Sequence, residues 1–254
     1  TDPQPPAGLD CTGLTKSFGS VTVLKGIDFA VPAGSVIGLI GENGAGKSTL
    51  SSLITGVHRP DSGTMTLDGQ PYAPATPGEA LDAGVVLIHQ EIRLLPELTV
   101  AENIFLGRLP CRAGRIDRQR MFEESREVLD LLGAHIDPNR QVRGLSMAVQ
   151  QEIEIAKAIT RKPRYIIFDE PSASLDPRQR ERLWAFLAEL GTTVVFSTHD
   201  VGEAERHADR LLVLADGELL FTGTPMELEA ETGGDAATPD FETAFVRFLH
   251  ERGH

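Results

Sequence analysis

The chain has 254 residues, 41% of them hydrophobic, which is enough material for one sizeable α/β domain with a subdomain. Its 24 basic and 37 acidic side chains give a formal net charge of −13, which argues against nucleic-acid binding and against adsorption to an anionic membrane. No apolar run approaches the roughly 18 residues of a membrane-spanning helix, and the first residues lack signal-peptide character, so we expect a cytosolic protein. Cys11 and Cys111 lack metal-ligand spacing, and we assign them no function.

Short runs rich in valine and isoleucine alternate along the chain with longer amphipathic stretches, as in the βα units of a parallel sheet. Segments 14–18, 21–31 and 63–69 have the pattern of shorter strands separated by glycine turns, and they predict an antiparallel edge sheet. Because four other runs are almost continuously apolar, we expect strands buried on both faces at 35–40, 85–88, 165–168 and 193–197.

The middle of the chain has a helical pattern. Apolar residues recur at helical spacing up to Leu132, where Gly133 ends the pattern, and again at Ile153, Ala156 and Ile159. We therefore predict a core and β edge at about 9–90 and 162–230, an inserted helical subdomain at about 91–161, and a helical tail at about 239–252.

The segment GENGAGKST has the spacing of a P-loop. It follows the apolar strand SVIGLI and precedes a helical pattern, which is the context that this motif requires. Gly41 and Gly46 permit a tight wrap that points backbone N–H groups at phosphates, Lys47 reaches the β- and γ-phosphates, and the hydroxyl of Ser48 suits Mg²⁺. The alternative is a plain glycine-rich turn. On the P-loop interpretation, the nucleotide-binding residues are Gly41, Asn43, Gly44, Ala45, Gly46, Lys47, Ser48 and Thr49.

Two carboxylates follow the buried strand YIIF. Asp169 is expected at the carboxyl edge of the sheet, where it would bind Mg²⁺, and Glu170 would orient and deprotonate the attacking water. An acidic pair after a strand can also cap a helix, but the upstream P-loop favours hydrolysis. The sequence therefore predicts an α/β P-loop NTPase core with a mainly parallel sheet.

The order of these motifs resembles the ATP-binding cassette (ABC) transporter family from about Leu9 to Leu228. The resemblance implies that Gln90, after the strand VVLI, senses Mg²⁺ and water and connects to a membrane domain. It also implies that His199 in STHD touches the γ-phosphate, although a lone histidine at a strand end can simply be solvated. Phe18 matches the aromatic residue that stacks on adenine, or it is a core residue of an early strand.

The segment GLSMAVQQEIEIAKAI resembles the family's signature motif and its helix. Ser146 is expected to cap that helix, leaving N–H groups and the positive end of the helix dipole for a γ-phosphate bound to a second cassette. Met147, Ala148 and Val149 depart from the usual Gly-Gly-Gln, so a capped helix without a phosphate role stays an alternative. Asp176 matches the D-loop position that communicates between the two sites, and it is also placed to cap the next helix, with Pro177 at its first position.

Residues 84–108 resemble the N-terminal cassette of importers for ribose, galactose and similar sugars. This likeness implies ATP and Mg²⁺ as ligands, a permease, a solute-binding protein, and a peripheral location at the cytoplasmic face of the membrane. The apolar residues Ile92, Leu94, Leu95, Leu98 and Val100 form either a docking patch for the permease or part of the core. An exporter subunit, a non-transport ATPase and a regulatory cassette that only binds ATP stay open as alternatives.

Overall fold

The computed structural model describes residues 8–89, 91–170, 175–232 and 241–253. These residues form two compact units. One holds residues 8–87, 165–170, 191–232 and 241–253, and the other holds 88–89, 91–164 and 175–190. The sequence placed 162–230 in one core, whereas residues 175–190 group here with the helical middle of the chain.

The secondary structure alternates along the chain as follows: β1 Gly8–Phe18, β2 Val21–Pro32, β3 Val36–Ile40, α1 Lys47–Ile54, β4 Ser62–Leu67, β5 Gln70–Tyr72, α2 Pro77–Asp82, β6 Val85–Ile88, α3 Val100–Ile104, β7 Cys111–Arg112, β8 Arg115–Ile116, α4 Arg118–Leu131, α5 Met147–Ile159, β9 Tyr165–Asp169, α6 Pro177–Leu190, β10 Thr193–Thr198, α7 Val201–His207, β11 Arg210–Ala215, β12 Glu218–Gly223, α8 Pro225–Glu231 and α9 Phe241–Glu251.

Two sheets organise this fold. The antiparallel edge sheet has the order β2-β1-β4-β5, and the larger sheet has the order β12-β11-β3-β10-β9-β6. Within the larger sheet, β11, β3, β10 and β9 are parallel neighbours, and β12 runs antiparallel to β11. The predicted fold class is confirmed. Since parallel strands end on the same edge, the residues that follow β3, β9 and β10 are brought together there.

Three of the four near-continuous apolar runs form largely buried strands, β3, β9 and β10, as the sequence predicted, whereas in β6, at the edge of the sheet, only Val85 and Ile88 are buried. The side chains of Ile166, Ile167 and Phe168 on β9 are fully buried, and so are those of Val194 and Phe196 on β10. Burial on both faces explains why these strands show no alternation of polar and apolar residues.

The second unit contains α3, α4, α5 and α6, together with a two-stranded hairpin. The hairpin pairs Cys111 with Ile116 and Arg112 with Arg115. Ala113 and Gly114 at its turn both have positive φ, 50° and 76°, as a type I′ turn requires. The helical subdomain predicted at about 91–161 is therefore interrupted by a hairpin whose strands are too short to show a period.

Asn103 on α3 fixes the irregular segment that precedes this helix. Its side chain is fully buried. Its Oδ1 accepts a hydrogen bond from the N–H of Leu95 at 2.7 Å, and its Nδ2 donates to the carbonyl oxygens of Leu95 and Thr99, each at 3.0 Å. The amide therefore pairs the N–H of Leu95 and adds a second donor to two carbonyl oxygens that already accept from the N–H groups of Leu98 and Asn103.

We predict that replacing Asn103 with alanine lowers the free energy of unfolding by about 1–3 kcal/mol, because the N–H of Leu95 loses its acceptor and the carbonyl oxygens of Leu95 and Thr99 each lose one donor. Chemical denaturation measures this change. An unfolding free energy within about 0.5 kcal/mol of wild type, the range of neutral surface substitutions, would contradict this role for the amide.

Candidate functional site

The loop between β3 and α1 has the tight wrap that its glycines predicted. A Cβ atom at Gly41 would lie 2.1 Å from the carbonyl oxygen of Leu214, so that position has no room for a side chain. Gly46 has a φ of 108°, and a Cβ there would come within 2.8 Å of the Leu24 side chain. Both close approach and backbone conformation therefore require glycine at these two positions.

Lys47 is buried at the first position of α1, with 7% of its surface exposed. Its Nζ donates to the carbonyl oxygens of Gly41 at 2.7 Å and Glu42 at 3.0 Å. Burial lowers the pKa of the ammonium group, while the negative charges of Glu170 and Asp169 oppose that shift. The chain thus curls around a partly desolvated cation, and no side chain caps this helix start.

Asp169 ends β9 and accepts two hydroxyl hydrogen bonds on one carboxylate oxygen. Ser197 Oγ donates to its Oδ1 at 2.6 Å, and Ser48 Oγ donates to the same atom at 3.3 Å. The second contact brings the P-loop helix and the strand-end carboxylate together, as expected. The first involves a residue that we did not predict. Ser197 is the direct neighbour of Asp169 in the parallel β9–β10 register, a pairing that only the folded sheet reveals.

Glu170 occupies an uncommon backbone conformation directly after β9. Its φ is 51°, a left-handed value that glycine favours, and its N–H donates to the carbonyl oxygen of Ser197 at 3.1 Å. Strained residues of this kind cluster at functional sites. Its side chain is 18% exposed, and its Oε1 lies 3.0 Å from Nδ1 of His199, whose own side chain is 65% exposed. Because a carboxylate only accepts hydrogen bonds, Nδ1 carries the shared proton, and Nε2 is left to meet another group.

Phe18 at the end of β1 is partly exposed, with 44% of its surface accessible. Its ring meets the ring of His58 edge to face, with 5.1 Å between the centroids. Lys16 Nζ lies 5.6 Å from the ring centroid. This exposure disfavours the alternative in which Phe18 is a core residue, and it leaves aromatic surface for stacking.

The second unit contains the predicted site residues Ser146 and Asp176. Ser146 caps α5 as expected, since its Oγ accepts from the N–H of Val149 at 3.4 Å. Met147, at the first helical position, is 58% exposed. Asp176 caps α6, because its Oδ1 accepts from the N–H groups of Arg178 and Gln179, each at 2.9 Å.

The two remaining predictions concern Gln90 and the apolar patch that follows it in the sequence. Gln90 lies outside the described residues. Of the apolar patch, Val100 is fully buried in α3 and belongs to the core, whereas Leu95 is 46% exposed and stays available for a partner.

The chain matches a family model described as "ABC transporter" over residues 24–173, more than half of its length. The chain belongs to the ABC transporter family. This family assignment covers the P-loop, Gln90, the capped helix α5, and both carboxylates Asp169 and Glu170.

Curated members of the ABC family resemble the chain over most of its length. An arabinose import ATP-binding protein of Burkholderia ambifaria is 43% identical over 223 residues, which is 86% of this chain and 43% of that protein. A ribose import ATP-binding protein of Yersinia pestis is 41% identical over 213 residues, 83% of this chain and 42% of its own. The chain therefore spans less than half the length of these relatives.

Solved ABC structures share the fold. An ATP-binding cassette of an ABC transporter in its ADP conformation is 26% identical, with a TM-score of 0.76 over 94% of this chain and 98% of its own. An ATP-binding subunit of an ABC transporter aligns with a TM-score of 0.80 over 96% of this chain and all of its own, at 24% identity. None of the helices within the described residues has the length and apolar content that a bilayer crossing demands.

The residues around Asp169 are suited to a hard cation shared with phosphate. Among the described residues, no group of three or more His, Cys, Asp or Glu side chains is arranged to hold a metal ion. Mg²⁺ in nucleotide sites needs only one or two protein oxygens beside waters and phosphates, and the Ser48 hydroxyl and the Asp169 carboxylate are of that type.

We predict that Ser197→Ala lowers the rate of phosphate release from ATP about tenfold, because Asp169 loses its shortest hydrogen bond and its orientation. Ser52→Ala is the matched control, since that hydroxyl bonds only within α1, to the carbonyl oxygen of Ser48. The measurement is steady-state phosphate release at saturating ATP. A Ser197→Ala rate equal to that of the Ser52→Ala control and of wild type would contradict a role for Ser197 in orienting Asp169.

Proposed function

We propose that this chain is the ATP-binding part of an ABC transporter and that it hydrolyses ATP to drive a solute through a separate permease. The observation that carries this proposal is the convergence of a buried lysine and two carboxylates at one edge of a parallel sheet. Lys47 follows β3, Asp169 ends β9, and Glu170 is hydrogen-bonded to His199 after β10. Each group has the chemistry that phosphoryl transfer to water needs.

The P-loop residues would bind the triphosphate of ATP. Backbone N–H groups of the loop offer neutral donors, and Lys47 would exchange its two carbonyl partners for charged phosphate oxygens, which form stronger hydrogen bonds. Ser48 and Asp169 are the residues that would hold Mg²⁺, which neutralises developing phosphate charge when bound. The exposed face of Phe18 would stack on adenine.

Glu170 would act on the attacking water as general base. The hydrogen bond from His199 Nδ1 would orient this carboxylate for accepting a proton from water. When the same imidazole is protonated on both nitrogens, Nε2 would donate to a γ-phosphate oxygen while Nδ1 donates to Glu170. Gln90 is proposed to sense the metal and the water.

A second cassette would complete the site. Ser146 bonds one of the N–H groups at the start of α5, and the remaining free N–H groups and the helix dipole attract a γ-phosphate held by the other cassette. Asp176 would communicate between the two sites. The second cassette is either another copy of this chain or another cassette in a longer protein. The departure from the usual motif at Met147 does not remove the Ser146 hydroxyl or the backbone N–H groups that would contact the phosphate.

The partner outside the cassettes would be a permease. The exposed Leu95 and its partly exposed neighbours Leu94 and Leu98, which follow Gln90 in the sequence, offer it apolar surface. Two relatives are named as arabinose and ribose import proteins, which supports sugar import with a separate solute-binding protein. The chain would then sit peripherally at the cytoplasmic face of the membrane.

We predict that Glu170→Gln binds ATP but releases phosphate at least about 100-fold more slowly than wild type, because an amide cannot accept the proton from water. Glu189→Gln, on the exposed face of α6, is the control and is expected to turn over like wild type. ATP binding is followed by calorimetry and turnover by phosphate release.

Two outcomes would contradict parts of this function. Wild-type turnover by the Glu170 variant would exclude Glu170 as the base. A wild-type chain that binds ATP without any Mg²⁺-dependent phosphate release, alone and with its permease, would instead favour a regulatory cassette.

A further inference from the structure

A chain of polar contacts joins the capped helix α5 to the start of α6. Gln179 forms its middle. Its Nε2 donates to Oε1 of Glu152 on α5 at 3.1 Å, and its Oε1 accepts from the backbone N–H of Asp176 at 3.2 Å. One amide side chain therefore connects the helix of Ser146 to the backbone of Asp176.

Glu152 is unusually buried for a glutamate, because only 13% of its side chain is exposed. Burial raises the pKa of this carboxyl group, and the hydrogen bond from Gln179 and the charge of Arg182 offset only part of that shift. A partly desolvated acid lowers stability, so a glutamate at this position is better explained by the contacts that its carboxylate makes with Gln179 and Arg182.

Arg182 strengthens the same connection from the next turn of α6. Its Nη2 lies 3.7 Å from Oε1 of Glu152, and its Nη1 donates to the carbonyl oxygen of Gly133, just after α4, at 2.8 Å. Arg182 thus connects the Glu152 carboxylate on α5 to the turn after α4, while Gln179 connects it to the start of α6. Asp176 is fixed twice, by Gln179 at its N–H and by the helix N–H groups at its carboxylate.

We propose that Glu152 and Gln179 are positioning residues that lock Ser146 and Asp176 together, so that both are presented to the second cassette as one rigid unit. Glu152 lies six positions after Ser146, a rise of about 9 Å along the helix, and a helix transmits displacement over that length with little bending. This inference rests on the proposed function, in which Ser146 and Asp176 serve the partner's nucleotide.

Loss of the connection is expected to act on turnover and to spare ATP affinity. ATP would bind first through the P-loop and Phe18, none of which belongs to this network. Closure of the two cassettes over the bound ATP would depend on the mutual placement of Ser146 and Asp176. A loose connection therefore lowers kcat and leaves KM for ATP nearly unchanged.

The decisive experiment is a double-mutant cycle on the full-length chain. We expect Glu152→Ala and Gln179→Ala each to lower kcat about fivefold, and the double variant to lower it no further, because both remove one connection. Glu152→Gln is expected to keep at least about half of wild-type kcat, since its amide oxygen can still accept from Gln179. Glu127→Ala, on the exposed face of α4, is the control.

Thermal unfolding separates this role from a structural one. Because burial raises the pKa of Glu152, the folded state favours its protonated form; this stabilisation is fully present below the ordinary pKa of the group and is lost as pH rises through the folded-state pKa. The charged groups facing it are Arg182, Asp176 and His135. At neutral pH, Glu152→Gln is therefore expected to unfold at the same or a higher temperature than wild type.

Three results would overturn the inference: wild-type kcat in Glu152→Ala, additive losses in the double variant, or a Glu152→Gln chain as slow as Glu152→Ala. If Glu152→Ala fails to fold, the comparison of Gln179→Ala with Glu152→Gln decides in its place. Absence of phosphate release from the wild-type chain would contradict the proposed function itself, and this inference with it.

Discussion

The buried ammonium group of Lys47 is the constraint on which the rest of the site depends. A cation with 7% of its surface exposed must be surrounded by oxygen atoms, and the chain supplies the carbonyl groups of Gly41 and Glu42. That arrangement requires the loop to curl tightly, and the loop can do so only with glycine at Gly41 and Gly46. Asp169 and Glu170 add the negative charge that favours the protonated amine.

The parallel sheet then determines which groups meet this cation. Because β3, β9 and β10 end at one edge, residues distant in sequence become neighbours without any long connecting loop. The register that places Ser197 beside Asp169 also brings the backbone of Glu170 against the carbonyl of Ser197 and its carboxylate to His199. Water activation is thus proposed to arise from strand pairing more than from any single motif.

Sequence reasoning succeeded where the determinants are local. The buried strands, the P-loop turn, and the caps formed by Ser146 and Asp176 follow from residues within a few positions of each other. It failed where the determinants are distant. Ser197 reaches Asp169 only through the strand register, and Gln179 reaches Glu152 only through helix packing. The hairpin at Cys111–Ile116 has two-residue strands, too short for any period. For Val100 the sequence left both a docking patch and the core open, and its burial depends on tertiary contacts.

The most direct test of the account is the affinity of the chain for ATP when Lys47 is removed. Isothermal titration of Lys47→Ala with ATP, beside Lys25→Ala as an exposed lysine control, measures the contribution of the buried cation. Loss of the main charged contact to the phosphates predicts ATP binding at least about 100-fold weaker in Lys47→Ala and unchanged in the control. Wild-type affinity in Lys47→Ala would show that ATP is held elsewhere and would contradict the assignment of this loop as the phosphate site.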